Sequence, residues 1–262
     1  MNTEVVSSLE RRAIILEKLK DNGQVFVNEL SDIFQVSQET IRRDLNKLEE
    51  QRLIKKIHGG AVSSQFGFEM EFNERAKLAA SEKKAIARHA AKLFKPGDSL
   101  FIDFGSTTLE FTRQLVEINE LTVVTNSPLI ANVLHENSSI KTILIGGEFI
   151  SSKFECVGAI ALDNIKRFFV DYAVIGAGAV HTDVGMMDQD INEAAIARQM
   201  IENSNRTVVL ADGHKLQNHA TTLVCGWDKI HYLFTTNDGS QNRKSKFPAN
   251  VNVTFAEVET ER

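Results

Sequence analysis

The sequence predicts an α/β protein in two parts: a small N-terminal winged helix-turn-helix at 1–60, a linker at 61–80, and a larger α/β domain with a mostly parallel sheet at 81–262. Three observations predict it. Residues 37–62 read as a capped amphipathic helix, then a basic strand, then a glycine turn. From Ser99 onward, short aliphatic runs alternate with helical segments, the pattern of βαβ units. At 262 residues the chain exceeds a typical single domain, so a head of about 60 leaves about 200 for a second core.

In the head, Ile14, Ile15 and Leu19 have helical spacing within 9–20, and Asn22-Gly23 is a C-terminal stop. Val27, Leu30, Ile33 and Phe34 mark a second short helix from about Asn28. Gln35-Val36 turns into Ser37, with Val36 placed to pack under both helices. Ser37 is a good N-cap, because its hydroxyl accepts from an unpaired amide of the first turn. Behind it Ile41, Leu45 and Leu48 share one face. The opposite face carries Glu39, Arg42, Arg43, Asn46 and Lys47, long polar arms of the kind that groove-inserted helices present. Two short helices joined by a tight turn form a helix-turn-helix, whose second helix enters the DNA major groove. Leu53 to Ile57 then reads as a strand and His58-Gly59-Gly60 as the turn of a wing.

Charge supports the same reading. Between 42 and 58, Arg42, Arg43, Lys47, Arg52, Lys55 and Lys56 outnumber Asp44, Glu49 and Glu50, in a chain of net charge −5. A basic patch on an acidic protein suits phosphate contact. A three-helix bundle whose charges merely solvate it is the alternative; the clustering in TIRRDL and LIKKIHGGAV favours DNA. The candidate DNA-binding residues are Ser37, Gln38, Glu39, Thr40, Arg42, Arg43, Asn46, Lys47, Lys55, Lys56 and His58.

The linker begins with AVSSQFGF, small and aromatic residues without periodicity. Ser81-Glu82-Lys83-Lys84 opens a helix with Ile86, Ala90 and Leu93 on one face, stopping at Pro96-Gly97. An acid at the helix start gives Glu82 a structural role. Strands are expected at 100–104, 121–126, 141–147, 171–177, 206–212 and 231–236, and helices at 108–117, 129–135, 159–168 and 191–203. Several strands are apolar without alternation, as in sheets covered on both faces. A polar stretch at 238–246 precedes a last strand at 250–258.

In such sheets ligands bind outside the carboxyl ends of the strands. The first strand ends in Asp103-Phe104-Gly105-Ser106-Thr107-Thr108, opening a helix whose free amides favour an anion. Others end in Thr125-Asn126-Ser127, Gly146-Gly147, Gly176-Ala177-Gly178 and Asp212-Gly213-His214-Lys215. Singly, such ends are more often caps and turns; five on one edge point to a ligand. A phosphate would use the loop amides and Lys215, while Asp103, Asn126, Glu193 and Asp212 would take hydroxyls. The candidate effector set is Asp103, Gly105, Ser106, Thr107, Thr108, Thr125, Asn126, Ser127, Gly146, Gly147, Gly176, Glu193, Asp212 and Lys215.

Other classes find little support. No run approaches the roughly 18 apolar residues of a membrane span, and residues 1–10 lack the apolar segment of a secretory leader. Cys156 and Cys225 read as buried reduced thiols, favouring the cytoplasm. The seven histidines have no metal-ligand spacing, and no cofactor or metal is expected.

The head, with SQETIRRDL followed by a wing ending in HGGA, resembles the N-terminal winged helix-turn-helix of the DeoR family of bacterial transcriptional regulators over about 10–62. Residues 81–215 resemble that family's sensor domain, similar in fold to ribose-5-phosphate isomerase and glucosamine-6-phosphate deaminase, with a weaker match onward to about 257. The matching segments are EK (82–83), DFGSTT (103–108), TNS (125–127), GG (146–147), NEAAIARQMI (192–201) and ADGHK (211–215). His214 departs from the small residue common there. The resemblance implies a regulator, with repressor the expected sign, that binds an operator under control of a phosphorylated sugar. Arg42 and Arg43 would contact DNA, and Gln38, Glu39 and Asn46 would vary with operator sequence. A homo-oligomer is expected, dimer or tetramer, since linked heads on a symmetric site gain affinity. The competing reading is a sugar-phosphate isomerase or deaminase with a DNA-binding appendage, with Asp103, Glu193, Asp212 and Lys215 as its acid–base set; the fused head favours sensing over catalysis.

Overall fold

The computed structural model describes residues 7–22, 24–51, 53–57, 59–63, 72–216, 218–236 and 247–258, and the chain divides into two compact units, 1–70 and 71–262.

Unit 1 runs α1 (Ser8–Asn22), β1 (Gln24–Phe26), α2 (Val27–Phe34), α3 (Gln38–Glu50), β2 (Ile54–Ile57) and β3 (Gly60–Ser63). The apolar stripes expected from spacing meet in one core: Ile15 and Leu19 of α1, Leu30 of α2, and Ile41, Leu45 and Leu48 of α3 are buried together with Ile54 and Ala61. Each such side chain contributes about 1.5–3 kcal/mol on burial. Val36 packs against this core from the turn, whereas Ile33 is 52% exposed. The second helix begins at Val27, one residue before the expected start.

Two features of the head differ from expectation. A short β1, unrecognised in the sequence, joins the wing hairpin to make an antiparallel sheet in the order β1-β3-β2. Residues 61–63, expected in the linker, are strand β3, with Ala61 opposite both Val25 and Lys56. Gly60 explains how β1 approaches: a Cβ there would lie 2.1 Å from the Val25 carbonyl oxygen. Gly23, Arg52 and His58, and 64–71 of the expected linker, lie outside the described residues.

Unit 2 opens with α4 (Phe72–Lys77), also expected as linker, then α5 (Ala80–Ala91), β4 (Ser99–Ile102), α6 (Ser106–Leu115), β5 (Thr122–Thr125), α7 (Pro128–Leu134) and β6 (Lys141–Leu144). A hairpin of β7 (Glu148–Ile150) and β8 (Glu155–Val157) precedes α8 (Gly158–Ile165) and β9 (Val170–Gly176). There follow β10 (Ala179–His181), β11 (Gly185–Asp188), α9 (Ile191–Glu202), β12 (Ser204–Leu210), β13 (Thr222–Cys225), β14 (Tyr232–Thr236) and β15 (Asn252–Ala256). The polar stretch 238–246 lies outside the described residues.

Among the described residues, seven strands form one sheet in the order β15-β14-β12-β9-β4-β5-β6, every pairing parallel. Leu100 and Ile102 of β4 face one layer with Ile86, Phe111, Leu115 and Ile130 of α5, α6 and α7. Phe101 faces the other, with Ala161 and Ile165 of α8 and Ala197 and Met200 of α9. Burial on both faces explains the unbroken aliphatic runs. Among the described residues of unit 2, antiparallel pairing is confined to β7–β8 and the small β10-β11-β13 sheet, both unforeseen because three- and four-residue strands carry too little periodicity. Strands leave β4 in one direction through β5 and β6 and in the other through β9, so the order reverses between β4 and β9. That crevice, at the carboxyl edge, is where such sheets bind ligands.

Candidate functional site

On α3 the side chains of Gln38, Glu39, Arg42, Arg43, Asn46 and Lys47 are all exposed, while Ile41, Leu45 and Leu48 are buried beneath them. Ser37 caps the helix, its Oγ accepting from the Thr40 amide at 3.2 Å, and Thr40 Oγ1 lies 2.9 Å from the same oxygen. Both are therefore engaged locally at the helix start. Glu39 lies 3.8 Å from Arg42 and from Arg43, and Arg42 donates to Gln38 at 3.3 Å. Lys56 of the wing donates to Asn46 at 2.7 Å and sits 3.4 Å from Glu49. Exposed pairs of this kind are worth about 1 kcal/mol or less, so phosphates can replace them at little cost. Lys55 lies in β2 opposite Val62; His58 is outside the described residues.

Asp44 does not belong to this face. It is buried and accepts from Arg11 Nε of α1 at 2.5 Å, which takes one acid out of the basic surface. The sequence carried a signal for this pair. Asp44 falls within the Ile41, Leu45, Leu48 stripe, and Arg11 is one turn before Ile15.

At the carboxyl edge of unit 2, Asp103 is buried and accepts from the Phe104 amide at 2.9 Å. That amide also donates to Asn126 at 3.0 Å, tying the β4 loop to the end of β5. Burial, with Glu193 and Asp188 nearby, holds the Asp103 carboxyl well above the usual carboxylate range. Gly105 has φ +144, a conformation that side chains disfavour, and it opens α6. Ser106 and Thr107 are partly buried in the first turn. Gly176 lies against this loop, its missing Cβ facing Thr108 and the Phe104 carbonyl.

Several expected ligand donors are engaged within the protein. Thr108 is buried and donates to the Gly105 carbonyl at 3.0 Å. Thr125 Oγ1 accepts from the Ser127 amide at 3.1 Å, and Ser127 donates to the Phe154 carbonyl at 3.1 Å. Asn126 donates to the Cys156 carbonyl at 3.4 Å. Asn126 and Ser127 thereby anchor the β7–β8 hairpin. Gly147 serves the same packing, since a Cβ there would lie 2.5 Å from the Val157 carbonyl oxygen; Gly146 is open to solvent.

The hairpin delivers a residue that the sequence did not single out. Lys153, at its turn, pairs with buried Glu193 and lies 3.5 Å from Asp190, the N-cap of α9. No local pattern marks a lysine whose partner is 40 residues away. Asp188 accepts from the Asp190 amide at 3.2 Å, so this cation borders the acidic group around Asp103.

Beyond β12, Asp212 is buried, and its Oδ1 has no hydrogen-bond partner among the described residues. Lys215 is partly buried in the 3-10 turn Gly213–Lys215. Glu82 acts across the fold rather than on its own helix: it accepts from the Gly213 amide at 3.1 Å and from Thr236, and lies 3.6 Å from His214. Lys83 is buried and donates to the carbonyls of Leu78, at 2.8 Å, and Arg75. Burial pushes its ammonium down to about 8, with Lys215 and Arg75 adding to the effect against Asp212 and Glu82. Cys156 and Cys225 are both buried and free. Among the described residues, no group of three His, Cys, Asp or Glu side chains is arranged for a metal ion, and no helix is long and apolar enough to cross a membrane.

Comparison with known proteins agrees with this layout. Residues 11–65 match the DeoR-like helix-turn-helix domain, and residues 78–237 match the DeoR C terminal sensor domain. The glycerol-3-phosphate regulon repressor of Escherichia coli is 35% identical over 226 residues, 86% of this chain and 90% of that protein. The regulator GolR of Listeria innocua is 34% identical over 240 residues, 91% of this chain and 94% of that protein. A ribose 5-phosphate isomerase from Methanocaldococcus jannaschii is similar at 21% identity and a TM-score of 0.38, over 51% of this chain and 53% of that one. The chain belongs to the DeoR family of DNA-binding helix-turn-helix transcriptional regulators with a C-terminal sensor domain.

Proposed function

We propose that the protein is a sequence-specific repressor of a sugar-metabolism operon, whose DNA affinity is set by a phosphorylated sugar bound at the carboxyl edge of the sensor sheet. One observation carries the ligand reading. The Gly105 loop and the first turn of α6 stand at the reversal of strand order, with Lys215 following β12 on the same edge and buried Asp103 and Glu193 beside the loop. Helix amides favour a phosphate, and carboxyl groups take sugar hydroxyls. The sign is taken from relatives: the Escherichia coli proteins similar at 35% and 31% identity are named repressors, one of a glycerol-3-phosphate regulon. In this reading the heads work as a homo-oligomer on a repeated operator, with Arg42, Arg43 and Lys47 on phosphates.

The edge senses rather than turns over its ligand. Support comes from Glu193, which is engaged in an ion pair by Lys153 rather than free to abstract a proton. Footprinting upstream of the native operon, with and without ribose 5-phosphate, glucose 6-phosphate and glycerol 3-phosphate, tests the proposal. A protected stretch that one of these sugars releases is expected; no protection under any condition refutes it, and robust conversion of a sugar phosphate refutes sensing. Thr107→Trp should abolish release by the sugar while leaving protection intact.

A further inference from the structure

Residues 211–221, which join β12 to β13, carry Lys215 and are pinned to the neighbouring small sheet at successive points. Leu216 forms a parallel bridge with Val180 of β10. Three residues on, the ring of His219 stacks on the ring of His181, the last residue of β10. The ring centres are 4.1 Å apart and the planes 29° from parallel. Thr221 then donates to the carbonyl of Gln189, just past β11, at 3.0 Å.

His181 is held on its own side of the stack. Its Nδ1 accepts from the Asp183 amide at 3.2 Å, and its carbonyl accepts from the Trp227 indole at 3.1 Å. His219 is exposed and brings only its ring to the contact. The strand it reaches is tied to the other half of the ligand edge. β10 pairs with β11, Ala179 lying opposite Met187. β11 ends at Asp188, whose charge acts on Asp103 and which accepts from the amide of Asp190, the N-cap of the helix that bears Glu193. So one ring stack joins the segment of Lys215 to the elements that carry the acids.

We propose that His181 and His219 are positioning residues for the ligand: their stack latches residues 211–221 so that Lys215 meets the phosphate while the acids beside Asp103 hold the sugar hydroxyls. The inference rests on the sugar-phosphate reading and deepens it. Stacking requires a flat ring on each side. When one ring is lost, the latched arrangement is less populated, and apparent affinity falls by the same fraction.

The test uses full-length protein and calorimetry, with ribose 5-phosphate, glucose 6-phosphate, glycerol 3-phosphate and their unphosphorylated counterparts as probes. Lys215→Ala should weaken a phosphorylated probe on the order of 30-fold, the loss of a charge-assisted hydrogen bond. His219→Ala should weaken the same probe by about threefold to tenfold, the worth of an aromatic pair, and scarcely change the unphosphorylated counterpart. His219→Phe restores a flat ring and should return affinity to within about twofold of wild type. Combined, His219→Ala and Lys215→Ala should lose no more than Lys215→Ala alone, because the latch acts through the lysine. Additive losses, a phenylalanine as weak as alanine, or equal weakening of phosphorylated and unphosphorylated probes each mean a merely structural contact and overturn the assignment. Wild-type affinity in His219→Ala overturns it too; if Lys215→Ala still weakens the probe, the sugar-phosphate reading stands without the latch. If the wild type binds none of the phosphates, both fall.

Discussion

The two units hold their charged side chains at opposite ends of the solvation scale. On α3 the side chain of Arg43 is 77% exposed and that of Arg42 55%, and the head folds on aliphatic residues beneath them. In the sensor, Asp103, Glu193 and Asp212 are each no more than 4% exposed. Exposed charges cost the fold almost nothing, so the head's affinity for DNA can change while its stability stays put. Buried acids cost desolvation whenever they ionise, so at the ligand edge proposed above the charge state and the stability of the fold are linked.

Arg11→Ala offers the sharpest way to break that contrast, because Arg11–Asp44 is a buried polar pair inside the head. Leaving Asp44 uncompensated should cost about 3–5 kcal/mol in a denaturation midpoint analysis, enough to unfold so small a unit. A loss under about 1 kcal/mol would mean that the head tolerates a buried charge as readily as an exposed one.

The Arg42→Ala, Arg43→Ala double variant tests the exposed side. Operator affinity should fall on the order of 100-fold near 0.1 M salt, with the salt slope reduced by about 2. Stability should move by no more than about 0.5 kcal/mol. An unchanged slope would remove these arginines from the DNA contact.

Asp103→Asn tests the linkage in the sensor. The folded state keeps a proton on Asp103 that the unfolded chain releases near its ordinary value, so native stability declines as pH rises from that value towards the folded one. Asparagine keeps the neutral shape and its carbonyl still accepts from Phe104. Its melting temperature should therefore gain on wild type as pH rises above about 4; parallel melting profiles would show that Asp103 ionises freely. Smallest of all, Ser37→Ala should cost the head about 1 kcal/mol through the lost cap, measured in the same denaturation series; no change would mean that the Thr40 amide is satisfied by water.

How much was legible differs between the units for the same reason. The stripe Ile41, Leu45, Leu48 and its polar reverse are separated by helical period alone, so α3 and its exposed face were readable residue by residue. The parallel sheet was readable because doubly covered strands are apolar throughout. Less visible were α4, taken for linker because six residues hold under two turns, and β3, whose small residues give no alternation. At the ligand edge, the strand ends were found, but several of their roles were not. Thr108, Thr125 and Ser127 close the fold rather than face outward, and Lys153 and Arg75 carried no local signature.

By itself, the sequence determined the order of the longer helices and of the parallel strands, the family and the exposed basic helix, because periodicity, capping and charge act between residues only a few positions apart. Tertiary structure decided which distant groups are neighbours: Lys153 with Glu193, and Arg75 with the ring of Phe104. Those pairings span tens of residues, and only a closed core brings such groups close enough for Coulomb attraction and desolvation to act between them.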